Sequence, residues 1–300
     1  MKVRKCFTPA VVVIYLGFMQ MTAAAPGVVD EDRPKDQNGR EQQDEREKQK
    51  AAENPFLLKA YKPNYLLPLS YNLDPNQTYE KLDRVEMKFQ FSLKVSLWDS
   101  PFDTNSVVYF GYTQQSFWQA YNAKYSSPFR ETNYEPEFFW MLRTDNKIFG
   151  MELKRVLLGV VHQSNGRAVP LSRSWNRAYL NFVLGRGSFY LSLKPWVRFS
   201  EDNKTDPLAA EGDDNPDILE YMGRGELKAF YRYRKNEFSL MLRNNFASPN
   251  YGAVQLDWAY PLGDEVKWYL QYFNGYGESL IDYNHRISRL GIGFLFSNWL

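Results

Sequence analysis

Cysteine is almost absent. The 300 residues contain one, Cys6, and it lies in an apolar N-terminal leader. The chain beyond that leader therefore carries no disulfide, which suits a protein exported unfolded through an oxidising periplasm. Histidine is nearly as scarce, with only His162 and His285, so no Cys/His metal cluster can form. Long apolar runs are also missing. The mean hydropathy of −0.55 excludes a bundle of membrane-spanning helices, each of which needs about 20 apolar residues. The net charge of +2 is small, and no Lys/Arg run is interleaved with aromatics, which argues against a nucleic-acid partner. No nucleotide-binding loop and no internal repeat stands out.

What is present is an ordered set of segments. Lys2, Arg4 and Lys5 precede the apolar run Pro9 to Met19, and Thr22 to Ala25 are small. This is the pattern of a signal peptide over 1–24, cleaved after Ala24 or close by. Cys6 precedes the apolar run, so it does not read as a lipid-anchored cysteine. Residues 25–54 hold a charge-dense tract, Asp30 to Asn54, with no apolar side chain larger than Ala. Such a tract cannot bury a core and reads as a solvated periplasmic arm.

From Pro55 the pattern changes to period two. Over Val85 to Leu97 the odd positions are Val, Met, Phe, Phe, Leu, Val and Leu, and the even ones are Glu, Lys, Gln, Ser, Lys and Ser. Soluble strands usually have about 5–6 residues, whereas a tilted membrane-spanning strand needs about 9–11. The alternation returns at 189–199 and 290–296. Further strands are expected near 106–119, 132–143, 149–164, 174–185, 218–233, 236–247, 251–262 and 264–277. A weak one at 64–71 is interrupted by Pro68 and flanked by Pro63, which assigns it to a seam. Closing an antiparallel barrel needs an even number, so the expectation is an all-β transmembrane antiparallel barrel of about 12 strands over 55–300. Aromatics at 17% of residues suit its interfacial girdles.

Strand parity gives one polar stretch a location. His162 to Arg177 reads HQSNGRAVPLSRSWNR. In the strand that follows, Ala178, Leu180, Phe182 and Leu184 form an apolar row that continues back to Asn176; Arg177, Tyr179 and Asn181 alternate with it. In lipid the apolar row faces outward. A hairpin would bring Asn176 beside His162 and Ser164 on that outer wall. A chain from the Ser164 hydroxyl to His162 to the Asn176 amide would satisfy all three groups. It is also the nucleophile, base and orienter arrangement of acyl transfer. On spacing alone, a Ser and a His two apart are a weak motif, and ordinary interfacial polar residues are the default reading. His285 reads as a loop histidine.

Four runs then carry a resemblance: the central HQSNGRAVPLSRSWNR, SSPFRETNYEP from Ser126 to Pro136, GDDNPDI from Gly212 to Ile218, and YGESLIDYN from Tyr276 to Asn284. In these the chain resembles the outer-membrane phospholipase A family of Gram-negative bacteria. The resemblance implies a twelve-stranded barrel that hydrolyses phospholipid and lysophospholipid esters at sn-1 and sn-2, needs calcium, and is active as a homodimer. It implies Ser164 as nucleophile, His162 as general base, Asn176 as its orienter, and the Gly166 amide as oxyanion donor. One calcium per active site would take the Arg167 carbonyl and Ser172 of one subunit and Ser126 of the other. Gln114 would lie at the dimer interface. The family's usual Asp is replaced here by Val169, which leaves Asp214 alone at a possible monomer calcium site. The segment from Ser200 to Asp213 is longer than the family pattern, and its Glu201, Asp202 and Asp206 read as a solvated loop. Two other classes stay in view: a passive porin-like or structural barrel, and an outer-membrane lipopolysaccharide deacylase.

Overall fold

A computed structural model describes residues 58–74, 81–101, 104–206 and 208–298. The leader and the whole of the charged arm lie outside the described residues. Those that are described belong to one compact unit. Its twelve long strands are β1 (Asn64–Asn72), β2 (Val85–Asp99), β3 (Ser106–Trp118), β4 (Phe129–Arg143), β5 (Met151–Ser164), β6 (Ser174–Arg186), β7 (Phe189–Arg198), β8 (Gly225–Tyr233), β9 (Asn236–Asn244), β10 (Gly252–Pro261), β11 (Lys267–Gly275) and β12 (Ile287–Ser297). Each pairs antiparallel with its sequence neighbours, and β12 pairs with β1, so the sheet closes as a barrel.

The seam is where the proline pattern put it. Pro68 has no N–H to give the ladder, and the β1–β2 register shifts between Leu67 and Ser70. The β1–β12 register also shifts, between Ile292 and Phe294. Gly293 is needed there, because a Cβ would stand 2.1 Å from the Leu66 carbonyl oxygen.

One expected strand is shorter than the sequence suggests. Residues 218–222 form a single helical turn, α1 (Ile218–Met222), before β8 begins at Gly225. Ile218 and Met222, four residues apart on one helix face, are both buried. The chain then turns at Gly223, where φ is +68° and a Cβ would meet the Asn244 carbonyl oxygen at 2.3 Å. Read by period two alone, that apolar pair merges with the strand after it.

The wall alternates as predicted. Along β6 the inward Trp175, Arg177, Tyr179 and Val183 are buried, and the outward Leu180 is 41% exposed. Along β5 the outward Leu158 and Val160 are exposed and the inward Leu157 and Val161 are buried. At one rim the connections are brief, with two-residue turns at 187–188 and 234–235; the long segments 119–128, 165–173, 199–224 and 276–286 gather at the other.

Inside the barrel, a buried charge cluster crosses the lumen toward the long-loop rim. Glu86 on β2 accepts from Arg130 on β4 at 2.8 Å and pairs with Arg289 on β12 at 2.8 Å. The 276–286 segment folds inward to complete the cluster. Glu278 pairs with Lys88 at 2.9 Å and Arg289 at 2.7 Å, and Asp282 pairs with Arg130. All of these side chains are at most 4% exposed. Removing one member of such a network would strand charge in the interior, at a cost of about 3–5 kcal/mol. Backbone N–H groups of Leu280 and Ile281 also bond to Asn133 and Glu131 on β4. The 276–286 segment is thereby fixed to the barrel wall at β4.

Candidate active site

The β5–β6 hairpin sets the site. Its register places His162 opposite Asn176 and Ser164 opposite Ser174. His162 lies on the outward row that includes the exposed Val160, and Asn176 on the one that includes the exposed Leu180. His162 Nδ1 is 2.8 Å from Asn176 Oδ1. The other end of the same amide is occupied too: Asn176 Nδ2 donates to Glu201 Oε1 at 3.1 Å. Only the amide nitrogen can donate to a carboxylate, so the amide oxygen must face the imidazole. It follows that the ring proton sits on Nδ1, and Nε2 keeps its lone pair to accept a proton. Ser164 lies two residues along the same row. Among the described residues its hydroxyl makes no hydrogen bond, so the Ser164–His162 link of the expected chain is not closed here.

The loop 165–173 is shaped by Asn165, which is 4% exposed. Its Oδ1 accepts from the Arg173 and Arg167 N–H groups at 3.0 and 3.3 Å, and its Nδ2 donates to the Leu171 carbonyl at 2.9 Å. Its backbone N–H donates to the Arg173 carbonyl at 3.0 Å. One buried side chain thus ties both ends of the loop. Gly166 follows at φ +62°, where a Cβ would press on the Tyr134 ring at 3.2 Å. Glycine alone adopts that conformation without strain. The Gly166 N–H makes no hydrogen bond among the described residues.

Gln114 is on β3, in the outward row with Tyr112. Its amide oxygen accepts from Tyr112 at 3.1 Å and its amide nitrogen donates to Ser116 at 3.2 Å. The registers Gln114 to Tyr134 and Tyr134 to Ser164 place these residues at one level on three adjacent strands. Ser126 is exposed, with φ +61°, in the 119–128 loop. No side-chain bond among the described residues joins it to Arg167 or Ser172. His285 is an exposed loop residue whose N–H bonds to the Asp282 carbonyl at 3.0 Å, as expected.

The phospholipase A1 family model matches residues 41–296. The phospholipase A1 of Klebsiella pneumoniae is 39% identical over 252 residues, covering 82% of this chain and 84% of that protein. The chain belongs to the phospholipase A1 family. The structure of outer membrane phospholipase A from Escherichia coli superposes with a TM-score of 0.74 at 38% identity, covering 82% of this chain and 100% of that one. That of the Salmonella typhi outer membrane phospholipase, a dimer with bound calcium, gives 0.75 at 40% identity, covering 83% and 95%. Like these phospholipases, the chain is a bacterial outer-membrane β-barrel.

A calcium ion can be tested against the oxygens this phospholipase A1 chain offers. Ser172 Oγ donates to Asp214 Oδ2 at 2.5 Å, which leaves the hydroxyl lone pairs for a hard cation. With the Arg167 carbonyl in the same loop, the oxygens expected at the shared site are of the type a calcium ion takes. The possible monomer site at Asp214 does not fit the ion. Lys204 Nζ lies 2.5 Å from Asp214 Oδ1 and also donates to the Ala209 carbonyl at 2.7 Å. Asp214 is thus neutralised by an ammonium of its own chain, and Val169 adds no oxygen side chain. Among the described residues no group of three or more His, Cys, Asp or Glu is arranged for a metal.

Three residues that shape the site have no role legible from their types: Asn165, Lys204 and Glu201. Glu201 did carry a signal. Val197 and Phe199 are exposed on the outer wall, and parity continues that row to residue 201.

Proposed function

We propose that this chain hydrolyses the acyl esters of membrane phospholipids and lysophospholipids, at sn-1 and sn-2, by a Ser164–His162–Asn176 relay. Ser164 Oγ attacks the ester carbonyl as His162 Nε2 takes its proton. The Gly166 N–H donates to the developing oxyanion. Asn176 accepts from Nδ1 and holds the ring in the tautomer that can act as base. Collapse breaks the ester C–O bond. The leaving alkoxide takes the proton from His162, and the acyl group stays on Ser164. Water then attacks the acyl carbonyl, gives its proton to His162, and the fatty acid departs as the Ser164 hydroxyl re-forms.

The observation that carries this reading is the His162–Asn176 hydrogen bond on the outward wall of a barrel, with Ser164 on the same row. A substrate that arrives through the bilayer meets that wall first. A passive barrel would give these outward polar groups no role. Calcium held by the Arg167 carbonyl, Ser172, and Ser126 of a second copy would add positive charge beside the oxyanion position. A metal site shared in this way makes the homodimer the active form, with Gln114 at the interface. The Salmonella typhi relative, a dimer with calcium, supports both points. Fatty-acid release from phospholipid micelles by wild type and by Ser164→Ala tests the reading.

A further inference from the structure

A triad with an amide in place of the usual carboxylate has a specific weakness. Asn176 can fix the imidazole tautomer, but it brings no negative charge to the imidazolium that forms when Ser164 is deprotonated. In this chain that charge lies one hydrogen bond further out. Glu201 Oε1 accepts from Asn176 Nδ2 at 3.1 Å, and Glu201 is half-buried.

Its position is held by backbone. The Phe199 N–H donates to the Asn176 carbonyl at 2.9 Å, which extends the β6–β7 ladder past the end of β7. The Asp213 N–H then donates to the Asp202 carbonyl at 2.8 Å and ties the segment down on the other side of Glu201. The cations on the surrounding elements are committed elsewhere. Lys204 is paired with Asp214, and Arg198 with Asp213 at 2.6 Å. Arg173 donates to the Pro170 and Ser172 carbonyls. Arg177 points into the barrel, its guanidinium 3.8 Å from the Trp175 ring centroid. Among the described residues Glu201 has no ion pair, so its charge is not cancelled locally. The anions nearest in sequence, Asp202 and Asp206, are exposed.

We infer that Glu201 is a positioning residue of the hydrolytic site, orienting the Asn176 amide and supplying through it the negative charge that the triad itself lacks. This rests on the Ser164–His162–Asn176 reading above. It also gives the long 199–213 segment a function, since part of it is built into the site. The carboxylate lies two hydrogen bonds and one amide from the imidazole, so its negative charge acts on the ring cation that forms in the transition state and not on the neutral ring.

The test compares pH–rate profiles of wild type, Glu201→Gln and Glu201→Ala in detergent micelles with saturating calcium. Glu201→Gln keeps an acceptor for Asn176 Nδ2 and removes the charge. Its kcat should fall about 3- to 10-fold with KM unchanged, and the acid limb of its kcat/KM profile should move to lower pH. Glu201→Ala should lose more, and Glu201→Asp should recover part of the loss. A second arm uses Asn176→Asp. Beside Glu201 it sets two carboxylates against each other and should be impaired, whereas Asn176→Asp with Glu201→Gln should regain activity. Wild-type profiles in Glu201→Gln overturn the inference, as does a loss in Glu201→Ala that is uniform in pH. Each variant is checked for the heat-modifiable gel shift of a folded barrel. Full activity of Ser164→Ala would overturn the triad reading instead. An inactive Ser164→Ala with an unchanged Glu201→Gln profile overturns only the role of Glu201.

Discussion

Asn176→Ala isolates what the orienting amide contributes. The substitution removes the 2.8 Å contact with His162 Nδ1 and the 3.1 Å contact with Glu201. In the ground state the imidazole is neutral, and its hydrogen bond to an amide oxygen is worth about 1 kcal/mol net. In the transition state the ring is cationic and the same bond is worth about 2–3 kcal/mol. Only the difference, about 1–2 kcal/mol, reaches the rate, which corresponds to about 5- to 30-fold in kcat. Water can enter the vacated rim position and accept from Nδ1, which pulls the loss toward the lower figure. The assay is fatty-acid release from mixed micelles at saturating calcium, with the gel shift as the folding control. Ser164→Ala and His162→Ala, run beside it, should lose far more, since each removes a group that forms or breaks a bond. An equal loss in all three would refute the idea that Asn176 only orients.

Two more expectations concern the plug and the metal. Burial alone would raise the Glu278 carboxyl, but Arg289 and Lys88 outweigh it and hold it below the usual carboxylate range. Its contribution to stability is therefore complete above about pH 4.3, the ordinary glutamate value, and is lost as the pH falls through the folded value. The temperature of the gel shift should drop between pH 5 and 3 in wild type and drop less steeply in Glu278→Gln; parallel slopes would mean that Glu278 does not drive the acid sensitivity. A chelator should abolish hydrolysis, and Lys204→Ala, by freeing the Asp214 carboxylate beside Ser172, should lower the calcium needed for half-maximal rate about 3- to 10-fold. An unchanged calcium titration would mean that Asp214 does not act at the site.

Much of the fold could be read from the chain because one side of each strand faces lipid. The thirteen-residue alternation of 85–97 and the apolar row from Ala178 to Leu184 need no tertiary information to interpret. Parity then carried His162, Ser164 and Asn176 to the outer wall. The seam was also legible, since Pro68 has a mechanical consequence wherever it sits. What failed was local pattern without context. Ile218 and Met222 look like strand residues until their burial at the barrel mouth is known. Glu201 and Lys204 sit in a stretch whose composition reads as solvated. Their partners, Asn176 and Asp214, lie 25 and 10 residues away, and only the register of β6 against β7 brings Glu201 to its partner. The missing Ser164–His162 bond is of another kind: the residue types imply it, but the open site does not hold the hydroxyl against the ring.

The most direct measurement is fatty-acid release by Ser164→Ala in detergent with calcium. Hydrolysis should disappear while the barrel keeps its heat-modifiable gel shift. Turnover at the wild-type rate in that folded variant would remove Ser164 as nucleophile and, with it, the catalytic reading of the outer wall.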